Sequence, residues 1–242
     1  MGAIAFFDVD KTVLSRNSAA MWVRRERRLG NLTWSQALRG AFWAALYELG
    51  LIHADDLIRD AARTLQGRRE HDVVERTLAF WREEVAGLIR PGARAAIARH
   101  RAQGDRCWLL TSTSCYLSEP VTEVLALDGY LANRFVVHDG VFTGEMVDPI
   151  CFGDGKRAHA QTCAERAGVS LADCSFYTDS LSDLPALLAV GHPVAVNPDP
   201  RLRREAGRRG WRIEDWGTPE QLALPPHAGA GAAGGPRLDS IE

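Results

Sequence analysis

Asp8 and Asp10 stand two residues apart, directly after the short apolar run Ala3-Ile4-Ala5-Phe6-Phe7. In an extended segment, residues i and i+2 project to the same side, so both carboxylates face one small volume. Two carboxylates that close repel each other, and both ionise only beside a cation. A hard ion held by oxygens, such as Mg2+, suits them. A second acidic pair lies in Asp179-Ser180-Leu181-Ser182-Asp183-Leu184, after another apolar run. It can complete the cation site. Asp and Ser at such a position also suit a helix N-cap, and Asp183 can serve both purposes.

Two further groups suit phosphate chemistry. Thr111-Ser112-Thr113-Ser114 ends a third apolar run. Hydroxyls with free amides at a helix N-terminus cradle a phosphate, although simple capping uses the same residue types. Lys156 closes Gly153-Asp154-Gly155-Lys156 at the start of a helix, where the macrodipole disfavours a cation. Of the 29 basic residues only Lys11 and Lys156 are lysines. A lysine kept in so arginine-rich a chain points to use of its compact ammonium rather than a planar fork. At position 156 an ammonium can meet both phosphate oxygens and a carboxylate nucleophile.

These residues need a scaffold that gathers strand ends. Apolar runs at 3–7, 107–110, 174–177 and 193–196 read as buried parallel strands. Helical patterns separate them at 91–103, 116–127, 156–167, 182–190 and 200–209. Strands alternating with helices predict an α/β fold with a parallel sheet and right-handed crossovers. Ligands bind such sheets at the carboxyl ends of the strands. Residues 16–88 break the alternation and read as helices over 19–28, 34–49, 54–65 and 71–86, an insert expected to cover that edge. Asp139-Gly140, between 135–137 and 141–144, signals a hairpin. The Ala/Gly/Pro-rich tail from 218 has little to bury and is expected to be disordered.

Composition sets the outer bounds. The chain has 242 residues, 46% of them hydrophobic and 25% charged, and a formal net charge of −2, so no global field recruits nucleic acid. Its five cysteines form no CxxC pair and read as reduced thiols; His159 and Cys163, four apart, do not make a metal site. The first apolar run is too short for a signal peptide, and no stretch reaches the ~20 apolar residues of a membrane span. A cytoplasmic location is expected.

Taken together, DxDxT after the first strand, Thr/Ser after a later one, a Gly-flanked Lys and DxxxD after another strand resemble the four motifs of the haloacid dehalogenase superfamily. The resemblance covers about residues 3–216. The insert resembles the C1 cap of the subfamily that includes phosphoserine phosphatases. The stretch from Asp179 through Asn197-Pro198 is similar to the IB branch. It implies a Rossmann-like core over 1–15 and 88–217, a helical cap over 16–87 and a Mg2+-dependent phosphomonoester hydrolase. Asp8 would attack phosphorus and carry an aspartyl-phosphate. Asp10 would protonate the leaving alkoxide and then activate water. Mg2+ would be bound by Asp8, the backbone carbonyl of Asp10 and Asp179, with Asp183 orienting the metal shell or Lys156. Thr111 and the Ser112 amide would hold the phosphoryl group and Lys156 would neutralise it. Thr12 and Asn17 are further expected to contact the substrate.

The chain departs from the phosphoserine phosphatases where they read the substrate. Those enzymes usually carry a Glu nine residues after the nucleophile, where this chain has Asn17. Their second motif is typically Ser-Gly-Gly, where this chain has Thr111-Ser112-Thr113. A neutral Asn cannot balance an ammonium as a carboxylate does, which argues against phosphoserine. Arg24, Arg25, Arg27 and Arg28 read as a solvated face, and the apolar segment 38–52 as packing within the cap. Lining for a lipid-like phosphate such as lysophosphatidic acid is the alternative for that segment. Transfer of the phosphoryl group to an alcohol stays open, whereas dehalogenation would need neither Asp10 nor a metal.

Overall fold

The computed structural model describes residues 2–32 and 54–217. In chain order the strands are β1 (Ile4–Phe7), β2 (Arg106–Ser114), β3 (Gly129–Asn133), β4 (Phe135–His138), β5 (Val141–Met146), β6 (Ser175–Thr178), β7 (His192–Val196) and β8 (Arg212–Glu214). The helices described are α1 (Ser18–Arg28), α2 (Ala54–Arg63), α3 (Glu70–Phe80), α4 (Pro91–Ala102), α5 (Cys115–Val124), α6 (Asp154–Arg166), α7 (Leu184–Ala189) and α8 (Pro200–Arg209). Six strands make one parallel sheet in the order β3-β2-β1-β6-β7-β8. This is the α/β architecture expected from the alternating pattern.

β1 lies inside the sheet and all four of its residues are buried. Its unbroken apolar run follows from cover on both faces. Ala5 and Phe7 enter one core with Ile97 of α4, Tyr177 and Trp216. Ile4 and Phe6 enter the other with Ala160 and Ala164 of α6 and Leu202 of α8. Two edge strands were not legible. β3 opens on Gly129, where an added Cβ would lie 2.6 Å from the Trp108 ring. β8 is a three-residue polar segment, Arg-Ile-Glu. Short polar edges resist further pairing and carry no apolar run to read.

Between β1 and α4 the described insert is helical, with α3 continuing through a wider turn over 81–85 and a tight turn over 86–88. The chain leaves and re-enters the core at one place. There Ser15 N donates to Leu88 O at 2.9 Å and Arg90 N to Val13 O at 2.9 Å. Trp22 meets Phe80 edge-on, joining α1 to α3. Arg25 pairs with Glu83 and Glu84 at 2.7 Å each and is buried. Arg25 therefore corrects the reading of 24–28 as a wholly solvated face: it sits between two helices and its charge is met there. The expected helix 34–49, the apolar segment 38–52 and the tail from 218 lie outside the described residues.

β4 and β5 form the expected hairpin. Asp139 and Gly140 both have positive φ, 50° and 73°, as a two-residue turn of primed type requires. The insert bridges to it by backbone hydrogen bonds: Gly67 N donates to Phe142 O, Phe142 N to Arg68 O, and Glu70 N to Gly140 O. Ile58 and Ala62 of α2 pack there on Phe135, Met146 and Ile150. Among the described residues no helix is long and apolar enough to cross a membrane.

Candidate active site

The register of the sheet brings the motif residues to one edge. Phe7 pairs with Leu109 on β2 and with Tyr177 on β6. Asp8 therefore emerges level with Leu110 and Thr178, and Thr111 and Asp179 follow one residue further on. Asp8 N still donates to Tyr177 O at 2.9 Å, so the nucleophile's backbone is held as an extension of the strand. The chain then turns sharply through 9–13, with Val13 N reaching Asp8 O and Leu14 N reaching Val9 O. Asp10 and Lys11 depart from helical backbone angles within it, so the segment is an irregular turn.

Lys156 comes from the opposite side. It is the third residue of α6, is 2% exposed, and donates to Asp8 Oδ1 at 2.7 Å and Asp183 Oδ2 at 2.8 Å. The flanking glycines make this approach possible. Gly153 has φ +50°, and a Cβ on Gly155 would lie 1.8 Å from Ile150 O. The unfavourable position of a cation at a helix N-terminus is offset by two carboxylates. Thr178 Oγ1 adds a 2.6 Å bond to Asp183 Oδ2. Sequence reasoning passed over Thr178; its signal was a hydroxyl directly before the strand-end Asp179.

Burial dominates the electrostatics. It holds the Asp8 carboxyl well above the usual carboxylate range, with Asp183 and Asp179 adding to the rise and Lys156 opposing it. Burial also pushes Asp179 up to about 6, and raises Asp10 against the pull of its hydrogen bond from Ser18. Buried carboxylates beside one ammonium are a site short of positive charge.

Among the described residues no three His, Cys, Asp or Glu side chains form a group able to hold a metal ion. The resemblance asks only the backbone oxygen of Asp10 and an orienting role of Asp183, so neither of these carboxylates need ligate. Asp10 Oδ1 instead accepts from Ser18 N at 2.8 Å, at the start of α1, and Asp183 is committed to Lys156 and Thr178. Asp8 and Asp179 remain as carboxylate donors. An all-oxygen set with excess negative charge, beside a buried Asp183 Oδ1 that has no hydrogen-bond partner, fits a small hard dication completed by backbone oxygen and water.

Three residues expected to contact the substrate also make contacts within the protein. Asn17 caps α1, its Oδ1 accepting from Ala20 N at 2.8 Å, so this oxygen is spent on the helix. Thr12 is fully buried and its hydroxyl faces Asp179 Oδ1 at 3.4 Å, a long contact that orients the carboxylate. Ser112 gives its backbone oxygen to Asn133. Thr111 Oγ1 stands at the head of a hydroxyl chain, 3.1 Å from Thr113 Oγ1, which is 3.1 Å from Ser118 Oγ.

Comparison with known proteins agrees with this geometry. Residues 5–188 match the model of the haloacid dehalogenase-like hydrolase family. The phosphoserine phosphatase SerB1 of Mycobacterium tuberculosis is 35% identical over 96% of this chain and 78% of its own length. A histidinol-phosphatase of Neisseria meningitidis is 27% identical over 88% of this chain and 98% of its own. A protein of unknown function from Bordetella pertussis Tohama I superposes with a TM-score of 0.82 at 26% identity, covering 89% of this chain and all of that one. A phospho-aspartyl intermediate analogue of phosphoserine phosphatase shares the fold, with a TM-score of 0.65 at 18% identity over 88% of this chain and 92% of that one.

Proposed function

The chain belongs to the haloacid dehalogenase-like hydrolase family, and on that premise we propose that it is a Mg2+-dependent phosphomonoester hydrolase working through an aspartyl-phosphate on Asp8. The observation that carries this reading is the Lys156 ammonium, held between Asp8 and Asp183 at the carboxyl edge of the sheet beside Asp179. Lys156 fixes one oxygen of Asp8, and the other attacks phosphorus. As the Asp8–phosphorus bond forms, the ester P–O bond breaks and Asp10 gives its proton to the departing alkoxide.

Burial raises the Asp10 carboxyl above its ordinary range, which favours the protonated form this role needs. The amide of Ser18 occupies Oδ1, so the proton resides on the other oxygen. Asp10 then takes a proton from water as that water attacks phosphorus, the Asp8 carboxylate is released, and inorganic phosphate leaves. Thr111 donates to a non-transferring oxygen. Thr178 and Asp183 keep Lys156 in line, and Thr12 orients Asp179. Mg2+, held by Asp8, Asp179 and the backbone oxygen of Asp10, would supply the charge that offsets the phosphate dianion.

The substrate proposed is a small organic monoester other than phosphoserine. Position 17 has no carboxylate to meet an ammonium, and its amide is used as a helix cap. The helical insert acts as the cap domain over the site, as its position between β1 and α4 suits. All five cysteines are free, which suits a reducing compartment, and we place the enzyme in the cytoplasm. The test is phosphate release from phosphoserine, sugar phosphates, nucleotides and lysophosphatidic acid, with and without Mg2+, for wild type and Asp8→Asn. Release that needs both Mg2+ and Asp8 is expected, with phosphoserine a poor substrate. A folded, Mg2+-binding protein that releases phosphate from none of these would sink the reading.

A further inference from the structure

Asn133 closes β3 and is 4% exposed, and its neutral side chain joins two parts of the site. The register beside it is irregular. Leu110 pairs with Leu131 and Ser114 with Asn133, so three residues of β2, 111–113, stand opposite Ala132 alone. Extra residues on one strand bend it and re-aim its side chains. This bend carries Thr111 and the Ser112 amide, the groups expected to cradle the phosphoryl group. Asn133 Nδ2 donates to Ser112 O at 2.8 Å and so holds the bend from below.

The other end of the same amide reaches the segment that leads to Lys156. Asn133 Oδ1 accepts from Cys151 N at 2.8 Å, and Cys151 is fully buried. Cys151 directly follows Ile150, the residue whose backbone oxygen lies against Gly155. Phe152 N donates to Ile150 O and Gly155 N to Phe152 O, each at 2.8 Å, so the turn runs unbroken into α6 and Lys156. One side chain therefore ties the phosphate cradle to the turn that delivers the ammonium. A backbone oxygen only accepts and a backbone N–H only donates. The tie thus needs a donor and an acceptor on one short fork, which an amide supplies. An ionised Asp would offer two acceptors, and a Leu of similar shape would offer neither.

We propose that Asn133 is a positioning residue for phosphoryl transfer: its side-chain amide sets the spacing between the cradle at 111–112 and the turn that aims Lys156. This rests on the phosphatase reading. Asn133 acts through its two backbone partners and does not itself touch substrate. A bound monoester can be held by part of the site, but the transition state needs the Thr111 hydroxyl, the Ser112 amide and the Lys156 ammonium in place together. Loss of the tie therefore falls on the chemical step more than on binding.

The experiment compares wild type, Asn133→Ala and Asn133→Ser in saturating Mg2+ with p-nitrophenyl phosphate. Rates are expressed per folded molecule, with the folded fraction taken from circular dichroism at the assay temperature. Asn133→Ala should lower kcat about thirtyfold while KM, and the Kd for inorganic phosphate by calorimetric titration, stay within about threefold of wild type. Asn133→Ser, whose hydroxyl keeps a donor and an acceptor on a shorter reach, should show the same split and carries the comparison if Asn133→Ala does not fold. A kcat within about threefold of wild type in a variant whose Tm has fallen shows a scaffold role and overturns the proposal. A rise in KM and phosphate Kd with kcat unchanged also overturns it, because it would put Asn133 on the substrate. Absence of release by wild type counts against the phosphatase reading, while release by wild type with unaltered kcat in the variants counts against Asn133 alone.

Discussion

A lysine with 2% of its surface exposed is costly unless its charge is met, and Lys156 is met twice, at 2.7 Å by Asp8 and 2.8 Å by Asp183. Removing one member of such a cluster leaves the others buried and unpaired. Lys156→Met should therefore abolish turnover and destabilise the fold by about 3 kcal/mol at pH 8 in urea unfolding. The loss should be smaller at pH 5, where the Asp8 carboxyl can neutralise itself by binding a proton. Asp179 gives a second pH effect. Its carboxyl holds a proton more tightly in the folded protein, to about 6, than at the 3.8 of a free side chain. A raised folded-state value contributes stability that is fullest below pH ~4 and is lost as pH rises through 6, by up to about 3 kcal/mol. Metal-free protein should thus melt at progressively lower temperature between pH 4 and pH 7, and Mg2+ should raise Tm more at pH 8 than at pH 5. A Tm that climbs with pH over that range without metal would contradict this. The gathering of Asp8, Asp10, Asp179 and Lys156 at one edge of the sheet was legible because charged residues at the ends of apolar runs are conspicuous in the sequence. The commitments of Asn17 and Thr12 were not, because which neighbour a side chain caps depends on backbone angles at a helix start that the sequence does not print.

Helix α6 can deliver Lys156 only because its first turn lies against Ile150. Gly155→Ala would put a methyl 1.8 Å from a backbone oxygen that has no room to move aside. It should cost more than about 2 kcal/mol and carry activity down with it, because the turn that aims Lys156 is displaced. Asn17→Ala separates two readings of another helix start. As an N-cap it should cost about 1 kcal/mol with KM unchanged. A large rise in KM with little loss of stability would return Asn17 to the substrate. The elements themselves were largely readable. β1, β6 and β7 and the helices α4, α6 and α8 fall within a few residues of their expected spans, because buried runs and helical periodicity announce them. β3 and β8 escaped because edge strands need no apolar signature. The span expected as a helix over 182–190 divides into a tight turn at 181–183, capped by Ser180, and α7, whose N-cap residue Asp183 gives its carboxylate to Lys156 and Thr178 instead of to the helix.

At the scale of the whole molecule, the helical insert is anchored to the core in two separate places. One is the paired entry and exit at 13–15 and 88–90, and the other is the 67–70 segment bridged to the β4–β5 hairpin. The second was invisible in sequence, because backbone pairing of a polar stretch such as Gly67-Arg68-Arg69-Glu70 has no compositional signal. Tyr116 OH braces it by donating to Glu70 Oε1 at 2.6 Å, with its ring stacked on Phe135. Tyr116→Phe should therefore raise amide exchange at 67–70 and 140–142 several-fold while leaving exchange in β1 and β6 unchanged, a loss of about 1–2 kcal/mol confined to the anchor. Equal acceleration in β1 would mean that the insert and the core open together. All of these parts converge on one claim, that Asp8 accepts the phosphoryl group. It is tested most directly by acid-quenching the enzyme during turnover of a phosphate ester with Mg2+ and sequencing its peptides by mass spectrometry. The account predicts one phosphoryl adduct on the peptide that contains Asp8, absent without Mg2+ and absent in Asp8→Asn. Turnover that proceeds with no adduct on Asp8, or unimpaired turnover in Asp8→Asn, would contradict it.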